Sequence, residues 1–263
     1  MSVGDRGCVV MGVLNVTPDS FSDGGRYLNP EAAFAHGLAM WRDGAAWIDV
    51  GGESTRPGAA PVDAAEEARR VVPVVHALVA AGARVSIDTR RASVAEAAIA
   101  AGAGMVNDVS ASLHRVAAAA GVPWVAMHMQ GEPGSMQDEP RYGDVVAEVG
   151  TFLRERAAAA LDAGVPEVWI DPGIGFGKTV AHNLSLLRHL PELVESGHPV
   201  LVGTSRKRFI GALTGGAAED DRLEGTLATC VWAAAAGAKM VRVHDVAPTV
   251  EAMRITQQEV DLT

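Results

Sequence analysis

Cysteine is scarce in this 263-residue chain, and the two that occur, Cys8 and Cys230, lie far apart, each inside an apolar stretch. A pair so placed is no disulfide framework. It reads as two buried thiols in a reducing compartment, so a cytoplasmic location is expected. Positive charge is also in deficit: 22 Lys and Arg against 32 Asp and Glu leave a net charge of −10. That balance argues against a general nucleic-acid or anionic-membrane surface, and any anion site must be assembled locally. Residues Met1 to Arg6 are polar and lack the basic leader and apolar run of an export signal. Long apolar runs are missing too. Nothing approaches the roughly 20 uninterrupted apolar residues that span a bilayer, and even Ala233 to Ala236 stops at Gly237.

Familiar nucleotide and metal signatures are equally absent. No G-x-G-x-x-G opens the first crossover, as a dinucleotide-binding fold would prefer. The run ending Gly177-Lys178-Thr179 invites confusion with a phosphate-binding loop, but that motif needs glycine at position 172, which holds Pro172. His36, His76, His114, His182, His189 and His198 are scattered, with no metal-ligand spacing. Ordinary surface or helix positions are expected for them.

What is present is alternation. Short apolar runs suited to buried strands fall near Val9–Asn15, Trp47–Val50, Arg84–Asp88, Met105–Asn107, Trp124–His128, Val168–Asp171, Val200–Gly203 and Met240–Val243. Between them, helical periodicity marks Glu31–Arg42, Ala64–Ala80, Val94–Ala100, Leu113–Ala120, Val145–Ala163, Leu184–Leu190 and Leu223–Ala235, and after the last run Thr249–Gln257. Gly44, Gly82, Gly102, Gly121, Gly164 and Gly237 stand where helices give way to strands, as left-handed terminators do. Eight β-α units predict a closed (β/α)8 TIM barrel, an α/β fold occupying residues 1–263 as a single domain.

A barrel puts its chemistry at the C-terminal ends of its strands. Those ends carry Asn15, Asp49 with Gly51 to Arg56, Asp88, Asn107 with Asp108, His128, Asp171, Ser205 to Lys207, and Arg242 with His244. Any one Asp or Asn there could simply cap the following helix, but eight such ends form an amide and carboxylate set facing a cationic set. Acceptors such as Asp88 and Asp171 beside the Asn107 amide suit a flat heterocycle with N–H donors along one edge, which a pterin has. Lys207, Arg206, Arg242 and His244 come from the seventh and eighth ends, where barrels often hold phosphate. Phe176 can pack against a planar ligand or belong to the core. His128 is a ligand contact or a hydrogen-bonded structural group. Two polar loops, Val16 to Asn29 and Gly51 to Pro61, exceed what connectivity requires and are candidate lids.

The segments Met11-Gly12-Val13-Leu14-Asn15-Val16-Thr17-Pro18-Asp19-Ser20-Phe21-Ser22-Asp23-Gly24-Gly25 and Asp49-Val50-Gly51-Gly52-Glu53-Ser54-Thr55-Arg56-Pro57-Gly58 resemble the two signatures of the dihydropteroate synthase family. The resemblance continues through Ser86 to Thr89, Asn107 to Ser110, Asp171 to Lys178, Ser205 to Lys207 and Arg242 to His244, nearly the whole chain. It implies condensation of a pterin-methyl diphosphate with 4-aminobenzoate. By that similarity Asp88, Lys207, Arg242 and His244 are catalytic. Thr55, Asp88, Asn107, Asp171 and Lys207 bind the pterin diphosphate, and Arg242, Val243 and His244 take its leaving group. Arg56, Phe176 and Arg208 flank the arylamine. Phe21 and Asp23 belong to the lid, Asn15 contacts a magnesium ion accompanying the diphosphate, and a homodimer is expected.

The chain departs from the family pattern twice. After Ser110 the family commonly has a glycine and an aspartate-proline element, whereas Ala111-Ser112-Leu113-His114-Arg115 runs straight into alanines; and Arg208 stands where serine is frequent. Two other readings remain: a methyltransferase passing a methyl group from methyltetrahydrofolate to a corrinoid protein, which needs no diphosphate site, and a catalytically silent binding paralogue.

Overall fold

A computed structural model of the chain describes residues 7–17, 29–53, 62–132 and 134–256. The elements run β1 (Val9–Asn15), α1 (Pro30–Arg42), β2 (Trp47–Gly51), α2 (Ala64–Ala80), β3 (Val85–Asp88), α3 (Ala92–Ala100), β4 (Met105–Asp108), α4 (His114–Ala120) and β5 (Trp124–Met127). Then follow α5 (Val145–Asp162), β6 (Val168–Asp171), α6 (Val180–Arg188), α7 (Leu190–Val194), β7 (Leu201–Val202), α8 (Arg208–Leu213), α9 (Leu223–Ala235), β8 (Met240–Val243) and α10 (Val246–Thr256). The strands pair in parallel in the order β6-β5-β4-β3-β2-β1-β8-β7. A single bridge, Ile170 to Val200, joins β6 to the start of β7, so the sheet curls into the expected eight-stranded barrel.

Period-two alternation sorts every strand into an outward and an inward set. Outward side chains such as Val10, Ile48, Ile87, Val106, Ile170 and Val241 join the helices in one large apolar core. Inward ones at the base of the barrel form a second cluster of Met11, Trp47, Met105, Val125, Trp169, Leu201 and Met240. Two residues further along the same strands the inward side chains change character, to Asp49, Asn107, Asp171 and Arg242. The barrel is thus apolar at its base and ionic at its mouth.

Helix starts follow the local sequence. Asn29, Asp63 and Asp144 accept backbone N–H bonds from Ala32 (3.0 Å), Glu66 (2.8 Å) and Val146 (3.0 Å), leaving fewer orphan donors in the first turns. All six terminator glycines take positive φ, from 65° at Gly121 to 106° at Gly102. The larger differences from expectation lie in β6–α6–β7–α8; elsewhere α3 starts two residues early, at Ala92, and α10 three residues early, at Val246. α6 starts four residues early because Thr179 and His182 form a reciprocal capping box. It ends before Leu190 because Pro191 cannot donate within a continuing helix and instead opens α7. Helix α8, six residues long, is too short to show a periodicity. No helix among the described residues is long and apolar enough to cross a membrane.

The unusual segment after β4 is organised by one carboxylate. Asp108 Oδ1 accepts from Ser110 N (2.9 Å) and Ser110 Oγ (2.6 Å); Oδ2 accepts from Ser112 N (2.7 Å), Leu113 N (2.6 Å) and Trp124 Nε1 (3.1 Å). Ala111 sits in this turn at φ 49°, the left-handed region a glycine enters without strain. Asp108 is therefore a structural group rather than a ligand contact. Truncating it strands several buried donors at once, so Asp108→Ala should lower unfolding free energy by about 3 kcal/mol, whereas Ser110→Ala should change it by less than about 1 kcal/mol. Urea unfolding of the two variants measures both; equal effects would remove Asp108 from this role.

Candidate active site

Two adjoining cavities open at the strand C-terminal ends. The larger, about 570 Å³, is bordered by Asn15, Phe176, Lys207, Arg208, Arg242 and His244 among others. The smaller, about 20 Å³, lies deeper between Asp88, Asn107, Asp171, Met127, Lys207 and Arg242. Eight of the sequence-nominated residues are thus brought together: Asn15, Asp88, Asn107, Asp171, Phe176, Lys207, Arg242 and His244. Arg208 joins them from the first position of α8, exposed on the outer rim. Val243 does not. Its side chain is fully buried in the helix-facing core because it alternates with Arg242 and His244, and it borders neither cavity. Thr55, Arg56, Phe21 and Asp23 lie outside the described residues, as does most of both candidate lids.

Arg242 occupies the centre. Its Nε donates to Asp49 Oδ2 and its Nη2 to Asp88 Oδ2, both at 2.6 Å. Burial works against this guanidinium's charge, but the two carboxylates outweigh it and push its pKa above the ordinary arginine value. Burial pushes Asp88 up to about 7 against the pull of Arg242, with Asp49 and Glu67 adding negative charge nearby. Asp171 is likewise raised by burial, with Lys207 and a hydrogen bond from Gly173 N (2.7 Å) resisting. Lys207 donates to the Ile174 carbonyl and places its Nζ 4.3 Å from the Phe176 ring centroid. Burial lowers it to about 7, opposed chiefly by Asp171. His244 Nδ1 lies 3.0 Å from Ser205 Oγ, which fixes the ring on the rim.

The β6–α6 loop is pinned from below. A Cβ on Gly173 would stand 1.8 Å from the His128 carbonyl and one on Gly177 would stand 2.3 Å from that of Gln130, and both residues have positive φ. Only glycine meets either demand. Lys178, which the sequence offered only as part of a rejected P-loop, is buried beneath this loop. Its Nζ lies 3.0 Å from His128 Nδ1 and donates to the carbonyls of Phe176 (3.0 Å) and His128 (3.3 Å). Burial and then Lys178 drive His128 down to about 3. His128 borders neither cavity and packs edge-on against Phe152, so it is a structural histidine.

Two further ion pairs lie near the site, and nothing local in the sequence marks their partners. Arg206, counted with the phosphate cations, borders the larger cavity and is bound through Nε and Nη2 to Asp245 at 3.0 and 2.6 Å. Arg91 joins Glu53 (2.9 Å) to buried Glu67, while Glu53 accepts from Val62 N (3.1 Å). The residues flanking 54–61 are thereby tied together.

The sequence model of the pterin binding enzyme family matches residues 11–244. The dihydropteroate synthase of Mycobacterium leprae is 51% identical over 259 residues, covering 94% of this chain and 91% of that protein. The chain belongs to the dihydropteroate synthase family. Among solved members, that of Xanthomonas albilineans with 4-aminobenzoic acid superposes with a TM-score of 0.90 at 51% identity, over 98% of this chain and 94% of that one. A second structure of the same synthase, in complex with 7,8-dihydropteroate, gives 0.87 at 48% identity with the same coverage.

The depressed lysine has a measurable consequence. Folded Lys207 sheds its proton near pH 7 and unfolded lysine near 10.5, so between these values the unfolded chain binds more protons and stability rises with pH. Relative to Lys207→Met, the native protein should gain stability from about pH 7 to about pH 10 in urea unfolding; a flat difference would place the ammonium in water.

Proposed function

We propose that this barrel condenses (7,8-dihydropterin-6-yl)methyl diphosphate with 4-aminobenzoate, giving 7,8-dihydropteroate and diphosphate. The observation that carries the reading is a slot holding Asp88, Asn107 and Asp171 that adjoins a cavity bordered by Lys207, Arg242 and His244. Asp88, Asn107 and Asp171 are suited to the donor edge of the pterin. Lys207, Arg242 and His244 face the direction in which a diphosphate attached to its methylene would lie. Related synthases carry 4-aminobenzoic acid and 7,8-dihydropteroate.

In this scheme the methylene C–O bond breaks with its electron pair leaving on diphosphate, and Arg242 and His244 stabilise the charge that develops there. The electron-rich ring stabilises the carbon left behind. The neutral arylamine nitrogen then forms the new C–N bond, and its surplus proton passes to solvent or to the departing diphosphate. Phe176 and Arg208 border the side from which the amine enters, with the guanidinium available for its carboxylate. Holding both substrates in line supplies much of the acceleration, and no covalent enzyme intermediate is required.

Among the described residues no cluster of three His, Cys, Asp or Glu could hold a metal. Asn15, however, borders the same cavity as Arg242 and His244. One amide oxygen suits magnesium, which keeps several waters and binds largely through substrate phosphates. Asn15 would hold such an ion, which would neutralise leaving-group charge. A cytoplasmic homodimer is part of the same reading.

The reading is tested by incubating the protein with pterin-methyl diphosphate and 4-aminobenzoate and following both products. Equimolar diphosphate and dihydropteroate are expected; methyl transfer to a corrinoid protein without condensation, or binding without diphosphate release, would replace it. Asp171→Asn should weaken pterin affinity by about 10- to 100-fold, since a charged acceptor for ring N–H groups is lost; unchanged affinity takes Asp171 out of the slot. 4-Aminobenzoate should bind detectably only with diphosphate and magnesium present, because the first ligand supplies the contacts at Asn15, Arg242 and His244 on which the amine pocket depends, and by linkage it should tighten diphosphate equally. Calorimetry in either order reads this coupling, and equal amine affinity with and without diphosphate would refute it.

A further inference from the structure

Asp49 is fully buried on β2, inside the barrel, and borders neither cavity. Its Oδ2 accepts two bonds, from Arg242 Nε at 2.6 Å and from Asn107 Nδ2 at 2.8 Å. Its Oδ1 makes no hydrogen bond to any described residue. The partners belong to opposite parts of the site: Arg242 to the cationic rim, Asn107 to the slot. As the ion-pair partner of a guanidinium, the Asp49 carboxylate offers oxygens only.

An asparagine amide can usually be turned end for end with little change in shape, so its polarity is set by what surrounds it. Here an acceptor-only oxygen lies against one end. Asn107 must turn its NH2 toward Asp49, and the planar amide then carries Oδ1 away from Asp49, toward the slot that Asn107 borders with Asp88 and Asp171. Without Asp49 the preference would reverse. Two carboxylates in the slot would then draw the NH2 to themselves, and Asn107 would show the ligand a donor.

We infer that Asp49 is a positioning residue that fixes the polarity of the Asn107 amide, so that Asn107 joins Asp88 and Asp171 as an acceptor in the slot and selects a 2-amino heterocycle over its 2-oxo counterpart. This deepens the pterin reading and rests on it. An amino group at ring position 2 donates to Asn107 Oδ1; a carbonyl there meets oxygen with oxygen. Arg242 shares the same Asp49 oxygen, so one carboxylate also holds the leaving-group cation in register with the ring.

The test compares the affinities of 6-hydroxymethylpterin and its 2-oxo counterpart by calorimetry, with inorganic diphosphate present. The native protein should prefer the amino compound strongly. Asp49→Leu, similar in size but without an acceptor, should reduce that preference about tenfold, mainly through loss of the amino compound. Asp49→Asn, which still offers one oxygen to both partners, should keep it within about threefold, the charge being less important here than the acceptor. If Asp49→Leu does not fold, Asp49→Ala carries the same comparison. Equal weakening of both compounds in the Leu or Ala variant would reduce Asp49 to a structural residue and overturn the inference, as would an unchanged preference. A native protein indifferent to the two compounds would instead overturn the ring-edge reading itself, and the inference with it.

Discussion

A guanidinium enclosed by carboxylates governs the mouth of this barrel. Arg242 on β8 reaches across to Asp49 on β2 and Asp88 on β3, so three strands are fastened by one cation at the level where the apolar interior ends. Removing such a charge from water is costly, and a buried ion pair is seldom a source of stability by itself. Its value here is geometric. The charges hold one another in a fixed arrangement before any ligand arrives, and a ligand edge or leaving group that matches it meets groups already oriented.

The other side of the site is held by different means. The β6–α6 loop lies so close to the end of β5 that Gly173 and Gly177 touch its carbonyls, and buried Lys178 takes up the carbonyls of Phe176 and His128. Backbone contact replaces side-chain packing, giving a stiff wall that carries Asp171 at one end and Phe176 in its middle. The connection after β2 is anchored at its base in part by Glu53, Glu67 and Arg91. The slot is thus preorganised.

Much of the architecture is local information. Eight apolar runs, helix caps such as Asp63 and Asp144, and six glycine terminators each state their structure within a few residues, because strand burial, capping and left-handed φ are short-range demands. Period two then dictates that Asp49, Asn107, Asp171 and Arg242 share the barrel interior, and strand order brings them to one end. The candidate site was legible for that reason. Helix α8 and the break between α6 and α7 were less so, since six residues carry no period and a proline can either end a helix or begin one.

What the chain alone could not declare was the partner of each polar group. Asp108 and Asp171 both end strands, yet one satisfies its own turn and the other faces the slot; His128 ends β5 but is spent on Lys178; Arg206 is spent on Asp245. Asp49 and Arg242 lie 193 positions apart. By itself the sequence determined the barrel, its polar end and the family resemblance, because those depend on periodicity and on motifs contiguous in the chain. Only the tertiary structure decided which charges pair, which histidine is structural and which way the Asn107 amide points, because hydrogen bonds between distant strands depend on closure of the barrel and leave no local trace.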